Sequence, residues 1–170
     1  MLWGMPAPDV TLLVPCFNEG ARIETCLAAI AAWRAAHAET AVEVIVIDDG
    51  SEDDTRARAD VVARDDPAVH VIGSPQNAGK GAALRHGVEA ATGRRIAFLD
   101  ADLSVDVVHL DEALAVLDRV DVAVGCRNVP GADVARPQGP ARRLLGRGYR
   151  VLARALLGID APDAVSYTHL

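Results

Sequence analysis

The sequence predicts a doubly wound α/β domain, in which a mainly parallel sheet is flanked by helices. Three observations carry this. Short runs rich in Val and Ile alternate with longer stretches whose apolar residues recur at helical spacing. The short runs are apolar throughout, as in strands covered on both faces, and β and α elements that alternate imply parallel pairing. Polar residues follow each run almost at once, where ligands bind in open α/β sheets.

Taken in order, Val10 to Val14 is a strand ending at Pro15, and Arg22 to His37 is a helix with Ile23, Cys26, Leu27, Ile30 and Trp33 on one face. Val42 to Ile47 is a second strand. The turn Asp48-Asp49-Gly50-Ser51 leads to Asp53, Asp54 and Thr55, capping residues for a helix through Ala63. Val69 to Ile72 follows as a strand, Gly79 to Ala91 as a helix, Arg95 to Leu99 as a strand, Val107 to Leu117 as a helix and Val120 to Gly125 as a strand. Val129 to Pro140, with three prolines and two glycines, is expected to be a mobile loop.

A chain of 170 residues, 51% hydrophobic, has the size and apolar content of one domain with a real core. It has no run of 18 apolar residues, and Met1 to Pro8 lacks a secretory pattern, so the segment is expected to be soluble and cytoplasmic. Cys16, Cys26 and Cys126 lie far apart without a Cys-x-x-Cys pair and are read as reduced thiols. A net charge of −7 argues against nucleic-acid binding. The charge is uneven: from Cys126 onward seven arginines face three acids, so two surfaces with different partners are expected. The five histidines share no metal-ligand spacing, and no Gly-x-Ser-x-Gly elbow is present.

The strand ends hold the chemistry. Pro15-Cys16-Phe17-Asn18-Glu19 offers an aromatic that can flank a base and a carboxylate that can accept hydrogen bonds, although a turn with Glu19 favoured by the helix macrodipole accounts for this segment alone. Asp48 and Asp49 place a carboxylate where a nucleobase N–H or ribose hydroxyl can reach it; an Asx turn explains the pair equally well. Asn77-Ala78-Gly79-Lys80-Gly81 opens a helix with free backbone N–H groups, small residues and a cation, a place for a diphosphate, but lacks Walker A spacing. Asp100-Ala101-Asp102 sets two carboxylates at i and i+2, able to gather round a hard divalent cation that keeps waters and binds diphosphate oxygens. A charged turn is the ordinary alternative.

These four groups in order, followed by Gly125-Cys126-Arg127, resemble family-2 glycosyltransferases of the Rossmann-like GT-A fold. The branch they resemble is that of dolichyl-phosphate glucosyltransferases and polyprenyl-phosphate mannosyltransferases. The resemblance spans about Val10 to Asp163. It implies that Pro15, Phe17 and Glu19 line the nucleotide pocket, that Asp49 contacts the base and that Lys80 lies near the nucleotide. It further implies that Asp100 and Asp102 frame Mg or Mn, with Asp102 the direct ligand, and that Ala101 and Ser104 line the sugar-diphosphate site. Leu103-Ser104 looks more like glucosyl than mannosyl members, a hint towards UDP-glucose over GDP-mannose. Arg127 stands where such enzymes meet the acceptor phosphate. Should Arg142 to Leu157 be helical, Arg143, Arg147, Arg150 and Arg154 share a face suited to an anionic membrane surface and a lipid phosphate, or simply to water.

The activity implied is inverting transfer of a hexose to a polyprenyl phosphate by a peripheral enzyme on the cytoplasmic side of a membrane. A phosphate acceptor is already ionised and needs no strong general base. A sugar or small hydroxyl acceptor would need one. A third reading is a nucleotide-sugar-binding fragment without turnover. Members of the family continue past Asp163 with a Gln-Cys-Gly-Phe-Lys-like segment, whereas this chain reads Ala164-Val165-Ser166-Tyr167-Thr168-His169-Leu170. Residues 1–164 are therefore read as an incomplete catalytic domain and 165–170 as an atypical end. A nucleotidyltransferase is disfavoured, because its glycine-rich loop after the first strand is replaced by Pro15 to Glu19.

Overall fold

Strands and helices alternate throughout residues 7–123, the part of the chain that the computed structural model describes. They are β1 (Val10–Cys16), α1 (Ile23–Ala36), β2 (Val42–Asp49), α2 (Thr55–Asp65), β3 (Val69–Ser74), α3 (Lys80–Ala90), β4 (Arg95–Phe98) and α4 (His109–Leu117). The chain divides into two units, 1–112 and 113–170, and the sheet lies in the first. Its order is β3-β2-β1-β4 with every pairing parallel, as the alternation predicts.

β1 is central and wholly buried. Leu12 pairs with Val44 and Leu13 with Ile45. Because side chains alternate across a strand, Leu13, Ile45 and Ile47 share one face, where Ala83 and Leu84 of α3 complete a cluster. Leu12, Val14, Val44 and Val46 are equally buried on the other face. Each such side chain contributes about 1.5–3 kcal/mol relative to exposure. The Cβ of an alanine at Gly87 would stand 2.7 Å from Ile47 Cδ1, so it would force the end of the Ile47 side chain to shift where α3 packs on the sheet. α1 buries Ile23, Cys26, Leu27, Ile30 and Trp33, the face that its spacing predicts.

The amino-terminal edge of the sheet is locked by polar groups. Thr11, fully buried, donates its hydroxyl proton to Glu43 and accepts the Gly93 N–H at 2.8 Å. Glu43 also accepts from the Thr92 N–H at 3.0 Å and the Thr92 hydroxyl at 2.9 Å. Burial pushes the Glu43 carboxyl up, but these three hydrogen bonds outweigh it and hold the group below the ordinary glutamate range.

Two expectations are corrected. Val120 to Ala123, the described part of the fifth predicted strand, belongs to no ladder of the described sheet, and Val122 is 74% exposed. An apolar run becomes a strand only where a neighbouring strand supplies its hydrogen bonds. β4 is not covered on both faces among the described residues, where Ile96 and Phe98 are 41% and 39% exposed at the sheet edge. Val124, Gly125, Cys126, the Val129 to Pro140 loop and the arginine-rich segment lie outside the described residues. No helix among the described residues is long and apolar enough to cross a membrane.

Candidate functional site

Parallel pairing brings the carboxyl ends of all four strands to one edge, and the polar groups after them meet there. The loop after β1 is laced to the loop after β2. Asn18 N–H donates to Ser51 Oγ at 3.0 Å, Asn18 Oδ1 accepts the Glu52 N–H at 2.9 Å, and Glu19 N–H donates to Thr55 Oγ1 at 2.8 Å. Asp53 accepts the Gly20 N–H at 3.0 Å. The hydrogen bonds from Thr55 and Gly20 hold the Asp53 carboxyl below the ordinary aspartate range.

Phe17 is exposed at the crest and Glu19 half-buried beside it, whereas Pro15 is buried within β1, opposite Ile47. Ala101 is likewise buried, 3% exposed. The two acids ending β2 divide their work. Asp48 accepts the Ser51 N–H, three residues on, at 3.1 Å, which closes the turn after β2 with a span one residue longer than an Asx turn. Asp49, 4% exposed, accepts the Ala78 N–H at 3.0 Å and the Gly79 N–H at 2.8 Å. The protein's own carboxylate therefore takes the two N–H groups just before α3, because an anion is favoured at a helix amino terminus, and the expected diphosphate site narrows to the N–H groups of the first turn, from Lys80 onward.

Lys80, the first residue of α3, pairs with Asp100 and lies 5.6 Å from the Phe98 ring centre. Asp102 stands just beyond. Its Oδ1 accepts the Ser104 N–H at 2.8 Å and the Ser104 hydroxyl proton, while its Oδ2 accepts no hydrogen bond among the described residues. Leu103 between them takes a left-handed φ of 52°, a costly conformation for a leucine that turns the chain so that Ser104 reaches back. Burial pushes the Asp102 carboxyl up. The Ser104 hydrogen bonds and the charges of Arg22 and Lys80 outweigh that and keep it below the ordinary aspartate range, ionised at neutral pH.

Sequence reasoning misses Arg22. It binds Glu19 at 2.8 Å and acts electrostatically on Asp102. Its signal is a cation at the amino terminus of α1, where the macrodipole disfavours one. A second overlooked signal is compositional: of 17 Lys and Arg, Lys80 is the only lysine. Arg127, Arg143 and Arg147 lie outside the described residues.

Among the described residues no three His, Cys, Asp or Glu side chains cluster as a metal cage. Asp100 and Asp102 instead offer a partial set of hard oxygen donors, with Asp102 Oδ2 unengaged among the described residues. That suits a divalent cation completing its shell with water and diphosphate oxygens. Cys16 and Cys26 are buried free thiols, and burial pushes both up to about 12, so neither is a nucleophile.

A parallel sheet with an acidic triplet after its edge strand, and a lysine facing that triplet, agrees with the sequence profile described as glycosyl transferase family 2, which matches residues 11–170. The chain belongs to that family. It is 34% identical over 165 residues to the polyprenol monophosphomannose synthase of Mycolicibacterium smegmatis, covering 93% of this chain and 59% of that protein. To a dolichyl-phosphate β-glucosyltransferase of Trichomonas vaginalis it is 31% identical, over 84% of this chain and 45% of that one. Among solved structures it is similar to the mannosyltransferase PcManGT of Pyrobaculum calidifontis in complex with GDP-Man and Mn2+. The identity is 30% and the TM-score 0.50, over 57% of this chain and 28% of that one. The fold is GT-A, and the chain spans about half the length of the two curated relatives.

Proposed function

We propose that the family-2 chain transfers a hexose from a nucleotide-diphosphate sugar, UDP-glucose or GDP-mannose, to a polyprenyl phosphate, with inversion at the anomeric carbon. The observation that carries the donor half is the meeting of the strand-end groups: Asp102, whose Oδ2 accepts no hydrogen bond among the described residues, Asp100 and Lys80 beside it, and Phe17 and Glu19 after β1, which would face the nucleoside. The lipid half is supported by the names of the two relatives above.

Asp100 and Asp102 would hold Mg or Mn, whose charge would offset that of the leaving diphosphate. Lys80 adds a cation on the same side, and Ser104 fixes the Asp102 carboxylate so that no reorganisation is needed during reaction. Ala101 and Ser104 border the sugar. The acceptor phosphate oxygen attacks from the face opposite the departing nucleoside diphosphate, and Arg127 meets the acceptor phosphate. Arg143 and Arg147 bind the cytoplasmic membrane surface and make the enzyme peripheral to it.

Calorimetric titration with UDP-glucose and GDP-mannose, first with Mn or Mg and then with a chelator, tests the donor half. Metal-dependent binding of one donor is expected. Binding of neither to folded protein, or equal binding with chelator, overturns this reading. Transfer assays with a polyprenyl phosphate against free sugar acceptors then test the lipid half.

A further inference from the structure

We infer that Asp49 is a positioning residue for Lys80, acting through the loop between β3 and α3; the inference rests on the site proposed above. Its carboxylate spends one oxygen on Ala78 N–H at 3.0 Å and the other on Gly79 N–H at 2.8 Å, and it is 4% exposed. Gly79 is the N-cap of α3, and Lys80 is the next residue. The chain of contact therefore runs from β2 through two backbone amides to the sole lysine, and from that lysine to Asp100 after β4.

The surroundings are built for this brace. Gly50, at φ 72°, sits so close to the loop that a Cβ there would lie 2.6 Å from the Gln76 carbonyl carbon and 2.7 Å from Asn77 N. Gly79 has φ 88° and ψ 155°, a conformation open only to glycine, and its N–H is shared with Asn77 Oδ1 at 3.1 Å. A loop in that shape needs an acceptor for both amides. Asp49 supplies two from the end of a buried strand, so the rigidity of the sheet is transmitted to the Lys80 ammonium. An amide in its place keeps one acceptor and turns an NH2 group on the other N–H.

The test uses the whole chain and the variants Asp49→Asn, Gly79→Ala, Lys80→Ala and Asp49→Asn with Lys80→Ala. Hydrogen exchange is read at Ala78 and Gly79, and the rate at which acetic anhydride labels Lys80, the only side-chain amine, is read by mass spectrometry. Asp49→Asn should speed exchange at the two amides and labelling of Lys80 by on the order of 10- to 100-fold, since two charge-assisted hydrogen bonds are weakened. Gly79→Ala disturbs the loop from its other side and should raise Lys80 labelling likewise. Where a donor is turned over, Asp49→Asn should lower kcat, leave the affinity for UMP or GMP unchanged, and cost nothing further in the Lys80→Ala background. Unchanged labelling in both single variants overturns the inference, as do additive losses with weakened nucleoside monophosphate, the mark of a base contact alone. Failure of the chain to bind any donor would overturn the proposed function, while the exchange and labelling arms would still decide the brace.

Discussion

The two edges of the sheet use the same kinds of residue to opposite ends. At the amino-terminal edge Glu43 accepts three hydrogen bonds from Thr11 and Thr92. At the carboxyl-terminal edge Asp102 leaves Oδ2 without a donor among the described residues, beside Asp100 and within the fields of Arg22 and Lys80. Both carboxyls are held below their ordinary ranges, so charge alone does not separate a structural acid from a functional one. What separates them is unspent acceptor capacity where charges of both signs crowd together.

The largest expected effect is at the carboxyl-terminal edge. Asp102→Asn keeps shape and loses charge. Turnover of a nucleotide-sugar should fall on the order of 100- to 1,000-fold, the scale of losing one preorganised electrostatic contact, while the melting midpoint barely moves. Near-normal turnover would remove Asp102 from the metal site.

Glu43→Gln should do the reverse, lowering stability by about 1–3 kcal/mol at neutral pH because donors from Thr11 and Thr92 lose a charged acceptor. Turnover per folded molecule should stay unchanged. Because the folded-state carboxyl is depressed, the wild type's advantage is fully present above the ordinary glutamate range and fades as pH falls through the folded value. Denaturant melts of both proteins should therefore converge in acid. A gap that stayed constant with pH would show that the carboxylate charge is not what locks this edge.

The smallest effect belongs to Arg94→Ala. The side chain is 72% exposed where it meets Asp9, and exposed pairs contribute little. Its thermal midpoint should match the wild type; a clear drop would mean the amino-terminal edge depends on its surface ion pairs as well as on Glu43.

Much of this was legible in the sequence. The spacing of Ile23, Cys26, Leu27, Ile30 and Trp33 names the buried face of α1 in full, and continuous runs such as Val42 to Ile47 locate the strands to within two residues at either end. Both signals are local: a period of 3.6 or an unbroken apolar run needs only near neighbours to be read. The polar groups after β1, β2, β3 and β4 were legible for the same reason, since ligand sites follow strand ends in such sheets.

Local pattern also chose the secondary structure, but not the pairings that make the site. Strand order β3-β2-β1-β4 sets β4 beside β1, which brings the Asp100 to Ser104 turn towards Arg22 across about 80 positions of chain. Asp49 is 30 residues from Gly79, and Lys80 is 20 from Asp100. A carboxylate at a strand end reads the same whether it awaits a ligand or already holds a backbone amide; only the packed chain decides which donors reach it. Sequence determined that this is an alternating α/β domain with acids at its strand ends. Tertiary structure decided that Asp49 is committed to the protein and that Asp102 is left half free among the described residues, because hydrogen-bond capacity is consumed by neighbours in space rather than along the chain.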